Sequence, residues 1–236
     1  MNKSLILTRV AATVVISVVT GLLIAVCFIP ERTIYISGGA SVAPVYRGSE
    51  EKPNVALMFN VYENTDVVNK IMDKLLDNGV IATFFVGGCW ADDNAETLKR
   101  MADSGFEIGN HGYFHQNHKK LDFDANYQEI SKCHSVVKAL AGVDMTLFAP
   151  PSGAFNENTL KAADKLGYKS IMWTFDTIDW RDTDRDVIIK RATANVGRGA
   201  LILMHPKQHT LDCLDEVIAV LKQKGLTPTT VSNCIL

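Results

Sequence analysis

Beyond residue 53 the chain alternates short apolar runs with segments whose apolar residues recur at helical spacing, and this alternation constrains the fold more than any other feature. Val55 to Phe59 is an unbroken apolar run, and Val68, Ile71, Met72, Leu75 and Leu76 follow at helical intervals before Asn78-Gly79 ends that helix. Ala82-Thr-Phe-Phe-Val86, Phe106 to Gly109, Thr146 to Phe148, Lys169 to Trp173, Ala200 to Met204 and Thr227 to Val231 read as further strands. Helices are expected over Glu96 to Ala102, along Ile130, Cys133, Val137 and Leu140, and over Asn158 to Leu166, Asp184 to Ala194 and Cys213 to Lys224. Strands that are apolar on both faces belong in a parallel sheet covered by helices, here an α/β domain of about seven βα units. Right-handed crossovers allow a closed barrel or an open doubly wound sheet, and periodicity alone does not choose.

The 236 residues, 47% hydrophobic and 21% charged, are read as one such domain with an appendage. Val10 to Ile29 carries no charge, and a helix rising about 1.5 Å per residue over that stretch matches a hydrocarbon core of roughly 30 Å. Residues 10–30 are therefore expected to span a membrane. A cleaved signal peptide is the rival reading, but its apolar region usually runs about 7–15 residues, and the nearest small-x-small site, Ala40-Ser-Val-Ala43, lies well beyond the apolar stretch. Lys3 and Arg9 precede the span while Glu31 and Arg32 cancel after it, which places residues 1–9 in the cytoplasm and the domain outside the cell membrane. Residues 31–52, rich in small and turn-forming residues, read as a linker to a domain over 53–236.

The net charge of −2 and the lack of a Lys/Arg run argue against nucleic acid as a partner. No glycine-rich phosphate loop follows the first strand, which argues against a nucleotide cofactor. Outside the apolar stretch, Cys89, Cys133, Cys213 and Cys234 allow three disulfide pairings or four buried free thiols.

Nearly every unusual polar residue falls just after the C-terminal end of an expected strand, where barrel active sites are built. Asn110-His111-Gly-Tyr-Phe-His115 places two imidazoles four residues apart, close enough to chelate one divalent cation if the segment takes a helical turn. Phe175-Asp176-Thr-Ile-Asp179-Trp180 carries two carboxylates and an indole, and His205-Pro206 follows the strand ending at Met204. An imidazole near a carboxylate suits a general acid. His118, His134 and His209 are out of step with these positions and read as solvated side chains.

Taken in order, Ala82 to Val86, Glu107 to His115, Pro150-Pro151-Ser-Gly153, Asp176-x-x-Asp179-Trp180 and Leu203-Met-His205 resemble the motif series of the NodB-type polysaccharide deacetylases, over about Asn54 to Val231. That resemblance implies a distorted (β/α) barrel and the removal of N-acetyl groups from cell-wall polysaccharide by a metal-bound water. It implies that His111 and His115 hold a divalent metal, zinc in the first instance, and that His205 acts as general acid. Asp176 would orient His205, and Pro151, Ser152, Asp179 and Trp180 would form the substrate groove.

The first motif departs from the family. Where two aspartates are usual, a base and a third metal ligand, this chain has Asn60 and Val61; Asn60 cannot take a proton near neutral pH and Val61 has no lone pair. Ala149 and Ser152 likewise replace an arginine and a tyrosine of the third motif. Either Glu63, the nearest carboxylate, substitutes as base or ligand and the chain is a deacetylase, or the domain is a glycan-binding descendant that keeps the groove. The whole pattern is similar to a subgroup from spore-forming Gram-positive bacteria, which points to peptidoglycan or spore-cortex glycan.

Overall fold

The computed structural model describes residues 42–236, and the expected membrane span, its cytoplasmic flank and most of the linker lie outside them. Among the described residues no helix is long and apolar enough to cross a membrane. The strands are β1 (Asn54–Val61), β2 (Thr83–Val86), β3 (Glu107–Asn110), β4 (Leu147–Phe148), β5 (Lys169–Ser170), β6 (Phe175–Asp176), β7 (Leu201–Met204) and β8 (Thr227–Thr229). The helices are α1 (Thr65–Asp77), α2 (Gly88–Asp93), α3 (Ala95–Asp103), α4 (Phe123–Ala141), α5 (Glu157–Lys165), α6 (Arg185–Thr193), α7 (Gln208–Gln223) and α8 (Val231–Ile235).

All ladders between these strands are parallel, in the order β5-β4-β3-β2-β1-β7-β6, with β8 paired to the start of β1. The sheet curls into a partial barrel rather than lying open. Its strands are buried on both faces because alternate residues of β1 serve different cores. Val55, Leu57, Phe59 and Val61 pack with the helical layer, while Ala56 and Met58 pack inside the curl with Phe85, Leu147, Ala149, Ile171, Leu201 and Leu203. Each fully buried large side chain of this kind is worth about 1.5–3 kcal/mol of transfer free energy, so the curl is held from within and without.

Two expected elements differ. The run from Lys169 to Trp173 is not one strand: β5 ends at Ser170, and a separate short β6 pairs with β7 through Phe175↔Ile202 and Asp176↔Leu203. Ile171 instead meets Val45 in an isolated bridge, with Val45 N–H donating to Ser170 O at 2.8 Å and Met172 N–H donating to Val45 O at 2.8 Å. Residues 45–49 continue across to the start of β7 and to α8, with Gly48 N–H on Gly199 O (2.7 Å) and Ser49 N–H on Cys234 O (2.8 Å). Part of the stretch read as linker thus bridges from the end of β5 to the start of β7, beside the gap between the edge strands β5 and β6, and the compact unit begins at Val42.

α8 covers the N-terminal ends of β1 and β2: Asn54 Nδ2 donates to Asn233 O at 2.8 Å and Val231 N–H donates to Thr83 Oγ1 at 2.8 Å. That end of the curl is closed, so a cleft opens at the C-terminal ends of the strands. Cys89, Cys133, Cys213 and Cys234 are all free thiols. Burial pushes Cys133 up to about 12 and Cys213 and Cys234 each to about 11.

Candidate active site

The loops after β1, β3, β4, β6 and β7 surround a cleft of about 310 Å³, with Asn60, His111, His115, Asp176 and His205 around Trp180 and Leu203. Asn60 reaches it because it sits on the face of β1 opposite Phe59 and Val61. The residue is 3% exposed, and its Oδ1 has no hydrogen-bond partner within the described protein. Val61, by the same alternation, is fully buried in the core beneath the helices.

His111 follows β3 directly. Its backbone N–H donates to Val86 O at 3.0 Å, continuing the ladder by one bond, and its Nδ1 donates to Ala149 O at 2.7 Å. That bond places the proton on Nδ1 and leaves a bare lone pair on Nε2, which is buried and without a protein partner. Burial first, and then neighbouring His115, hold the His111 imidazole well below its usual range, and burial also lowers His115. Both rings are neutral bases near pH 7.

The two imidazoles meet, but not through the expected helical turn. Gly112 (φ 74°) and His115 (φ 54°) are left-handed, and the loop folds back until the ring centroids lie 5.1 Å apart. A Cβ on Gly112 would stand 2.8 Å from His118 Nε2, so only glycine fits there. Glu129 of α4 clamps the same loop by accepting the Tyr113 N–H (3.0 Å), the Phe114 N–H (2.9 Å) and Gln116 Nε2 (3.2 Å). Sequence reasoning missed Glu129, although an acidic residue four before Cys133 on the buried face of a helix is a readable signal.

Three histidines expected in solvent are engaged. His118 is fully buried, with Nδ1 donating to Asn126 Oδ1 at 2.7 Å. His134 Nδ1 meets the Tyr168 hydroxyl at 2.5 Å, and His209 Nε2 donates to Asp179 O at 2.7 Å.

The carboxylate on His205 is Asp179, not Asp176. Asp179 Oδ1 accepts from His205 Nδ1 at 2.7 Å, while Oδ2 accepts the His205 backbone N–H at 2.8 Å and Thr210 Oγ1 at 2.7 Å. The swap has a backbone cause. Asp176 Oδ1 accepts the Ile178 N–H at 2.7 Å, Ile178 is held at φ 54°, and the chain turns so that Asp179 points inward at 1% exposure. Asp179 is therefore no wall of the groove, whereas Asp176 does line the cleft.

Ser152 lines the cleft with φ 55°, while Pro151 beside it is buried. Trp180, 52% exposed, lines the cleft at its rim. Glu63 does not line the cleft; it is turned toward Lys207, with which it forms an ion pair. Tyr62, absent from the sequence reading, packs against His115 in a tilted arrangement with centroids 4.1 Å apart.

His111 Nε2 and the adjacent His115 are suitable donors for a divalent cation, but no group of three His, Cys, Asp or Glu side chains that could hold a metal occurs among the described residues. A catalytic zinc site uses three protein ligands and one open position. The donor set does not fit a resident catalytic metal, since among the described residues no third His, Cys, Asp or Glu joins His111 and His115, and Val61, where the resemblance implies a ligand, is apolar and buried. What remains is a neutral-imidazole floor, a His205–Asp179 pair and an amide, set in an aromatic-rimmed cleft.

A model of the family described as polysaccharide deacetylase matches residues 47–179, from the pairing segment through Asp179. The chain belongs to that family. The activity that names the family is deacetylation of polysaccharides, the hydrolysis of a carbon–nitrogen bond, and relatives of this chain are named peptidoglycan deacetylases. The chain is 35% identical over 188 residues to the peptidoglycan-N-acetylglucosamine deacetylase of Bacillus cereus, a match spanning 78% of this chain and 68% of that one. It is also 35% identical to the uncharacterized protein YlxY of Bacillus subtilis, covering 80% of this chain but 60% of that protein's length. Among solved structures it superposes on a CE4 family pseudoenzyme from Bacillus anthracis with a TM-score of 0.80 and 36% identity, covering 83% of this chain and 69% of that one. A mutant of that pseudoenzyme, described as having restored enzymatic activity, superposes equally well at 34% identity.

Proposed function

We propose that this protein is a cell-wall glycan-binding member of the polysaccharide deacetylase family in which hydrolysis is lost or severely slowed. The observation that carries the reading lies at the end of β1: Asn60 faces the cleft with an amide where a base is needed, and Val61, where the family has a metal ligand, is an apolar side chain buried in the core. Loss of a general base alone typically removes about 10²–10⁴ in rate. Likeness to a pseudoenzyme that mutation returned to activity supports it. The ligand is N-acetylated glycan of the peptidoglycan class, in keeping with the names of the relatives. The apolar stretch at residues 10–30 supports attachment to the outer face of the cell membrane. Similarity to the subgroup from spore formers supports a cortex or wall target.

A second reading, a slow zinc-dependent deacetylase, is favoured by the bare His111 Nε2 and the intact His205–Asp179 pair. Acetate release from chitotetraose and from peptidoglycan separates the two. Wild type is expected to be at least about 10²-fold slower than the Asn60→Asp/Val61→Asp double variant, and to bind Zn²⁺ or Co²⁺ weakly where the double variant binds it tightly. Wild-type turnover equal to that of the double variant, abolished by His205→Ala, would establish the second reading.

A further inference from the structure

Asn60 is both the group that disables a base and a buried amide facing the cleft with an unpartnered acceptor. A buried polar atom of this kind costs free energy unless a ligand or solvent meets it. We infer that Asn60 reads the acetylation state of the glycan, donating from Nδ2 to the carbonyl of an intact acetamido group while Oδ1 accepts from a neighbouring sugar hydroxyl. This deepens the glycan-binding reading and rests on it.

The chemistry separates amide from carboxylate. The acetamido carbonyl is an acceptor that an amine lacks, and the Asn60 amide offers it a donor, whereas an ionised carboxylate only accepts. The surroundings fit the same group. Leu203, Trp173 and Trp180 line the cleft and offer apolar surface to the acetyl methyl, and His111 Nε2 is a further neutral acceptor beside Asn60. A deacetylated sugar would bring an ammonium group. It would leave the Asn60 Nδ2 donor and the apolar wall unfilled, and burying the charge would cost more than the acceptors return. The carboxylate beneath His205 is already engaged by three donors, so it offers that ammonium little. Asp176 is the one carboxylate among the described residues lining the cleft and would favour the amine, but its Oδ1 is engaged by Ile178. At the mouth, Tyr62 (40% exposed) and Trp180 present aromatic faces on which pyranose rings of either kind can stack. Discrimination therefore falls to the floor and not to the rim.

The test uses the full-length chain, immobilised, with chitotetraose and its fully de-N-acetylated counterpart as probes in interferometry, and with acetate assayed in the same samples. The acetylated tetramer should bind about tenfold or more tightly than the amine form. Asn60→Leu should lose most of that preference, and Asn60→Ala gives the same readout if the leucine variant does not fold. Equal affinity of wild type for the two tetramers, or a preference that survives in both Asn60 variants, overturns the inference and leaves glycan binding standing. Binding of neither tetramer overturns the glycan-binding reading and this inference with it. Acetate release at the rate of the double variant above overturns that reading from the enzymatic side.

Discussion

At the scale of single residues, the two carboxylates of one loop divide their work by depth. Asp179 is buried and meets three donors from His205 and Thr210, while Asp176, partly exposed, holds the turn at Ile178. Removing Asp179 strands buried donors as well as deleting bonds, so Asp179→Ala should cost about 3 kcal/mol. Asp176→Ala, whose donor can turn to water, should cost about 1 kcal/mol. Urea denaturation followed by tryptophan fluorescence ranks the two; equal losses would mean that the His205 pair is not the stabilising contact. The sequence showed both carboxylates on the right loop but assigned them in reverse. Nothing in Asp-Thr-Ile-Asp announces a left-handed isoleucine, an uncommon conformation for a β-branched residue.

At the scale of elements, the loop from His111 to Gln116 owes its shape to α4 and to the short helical turn at His118, rather than to its own spacing. Glu129 accepts three of the loop's donors, and His118, pinned by Asn126, packs against Gly112. Burial lowers His118 from 6.5 to about 4. Between those values the unfolded chain takes up a proton that the folded chain excludes, so stability is full above pH 6.5 and falls as the pH drops toward 4. The loss from this group is about 3 kcal/mol. Thermal denaturation from pH 7 to pH 4 should show a steeper fall in wild type than in His118→Gln; parallel profiles would remove His118 as the cause. Helix and strand existence was legible here because periodicity is local. The clamp was not, because it joins residues on different elements.

At the scale of the whole molecule, the curl of the sheet leaves a gap between its edge strands β5 and β6, and residues 45–49 bridge beside it from the end of β5 to the start of β7. A chain beginning at Pro53 would lose the backbone bonds of Val45, Gly48 and Ser49, and should be less stable than one beginning at Val42 by about 2–4 kcal/mol. Differential scanning calorimetry of the two forms measures this, and identical melting temperatures would show that the segment only rests on the surface. Composition had marked this stretch as linker, since small residues and turn formers look alike whether free or paired. By itself the sequence determined that the domain is a parallel α/β sheet buried on both faces, that its reactive residues gather at the strand C-termini, and that Asn60 and Val61 break the family's first motif, because each of these is written in local pattern or residue type. Only the tertiary structure decided which carboxylate serves His205, that Glu63 belongs to Lys207 and not to the cleft, and that Asn60 faces the site with an unsatisfied amide. Those depend on where backbone turns and neighbouring elements aim a side chain, and such contacts between distant residues carry no local signature.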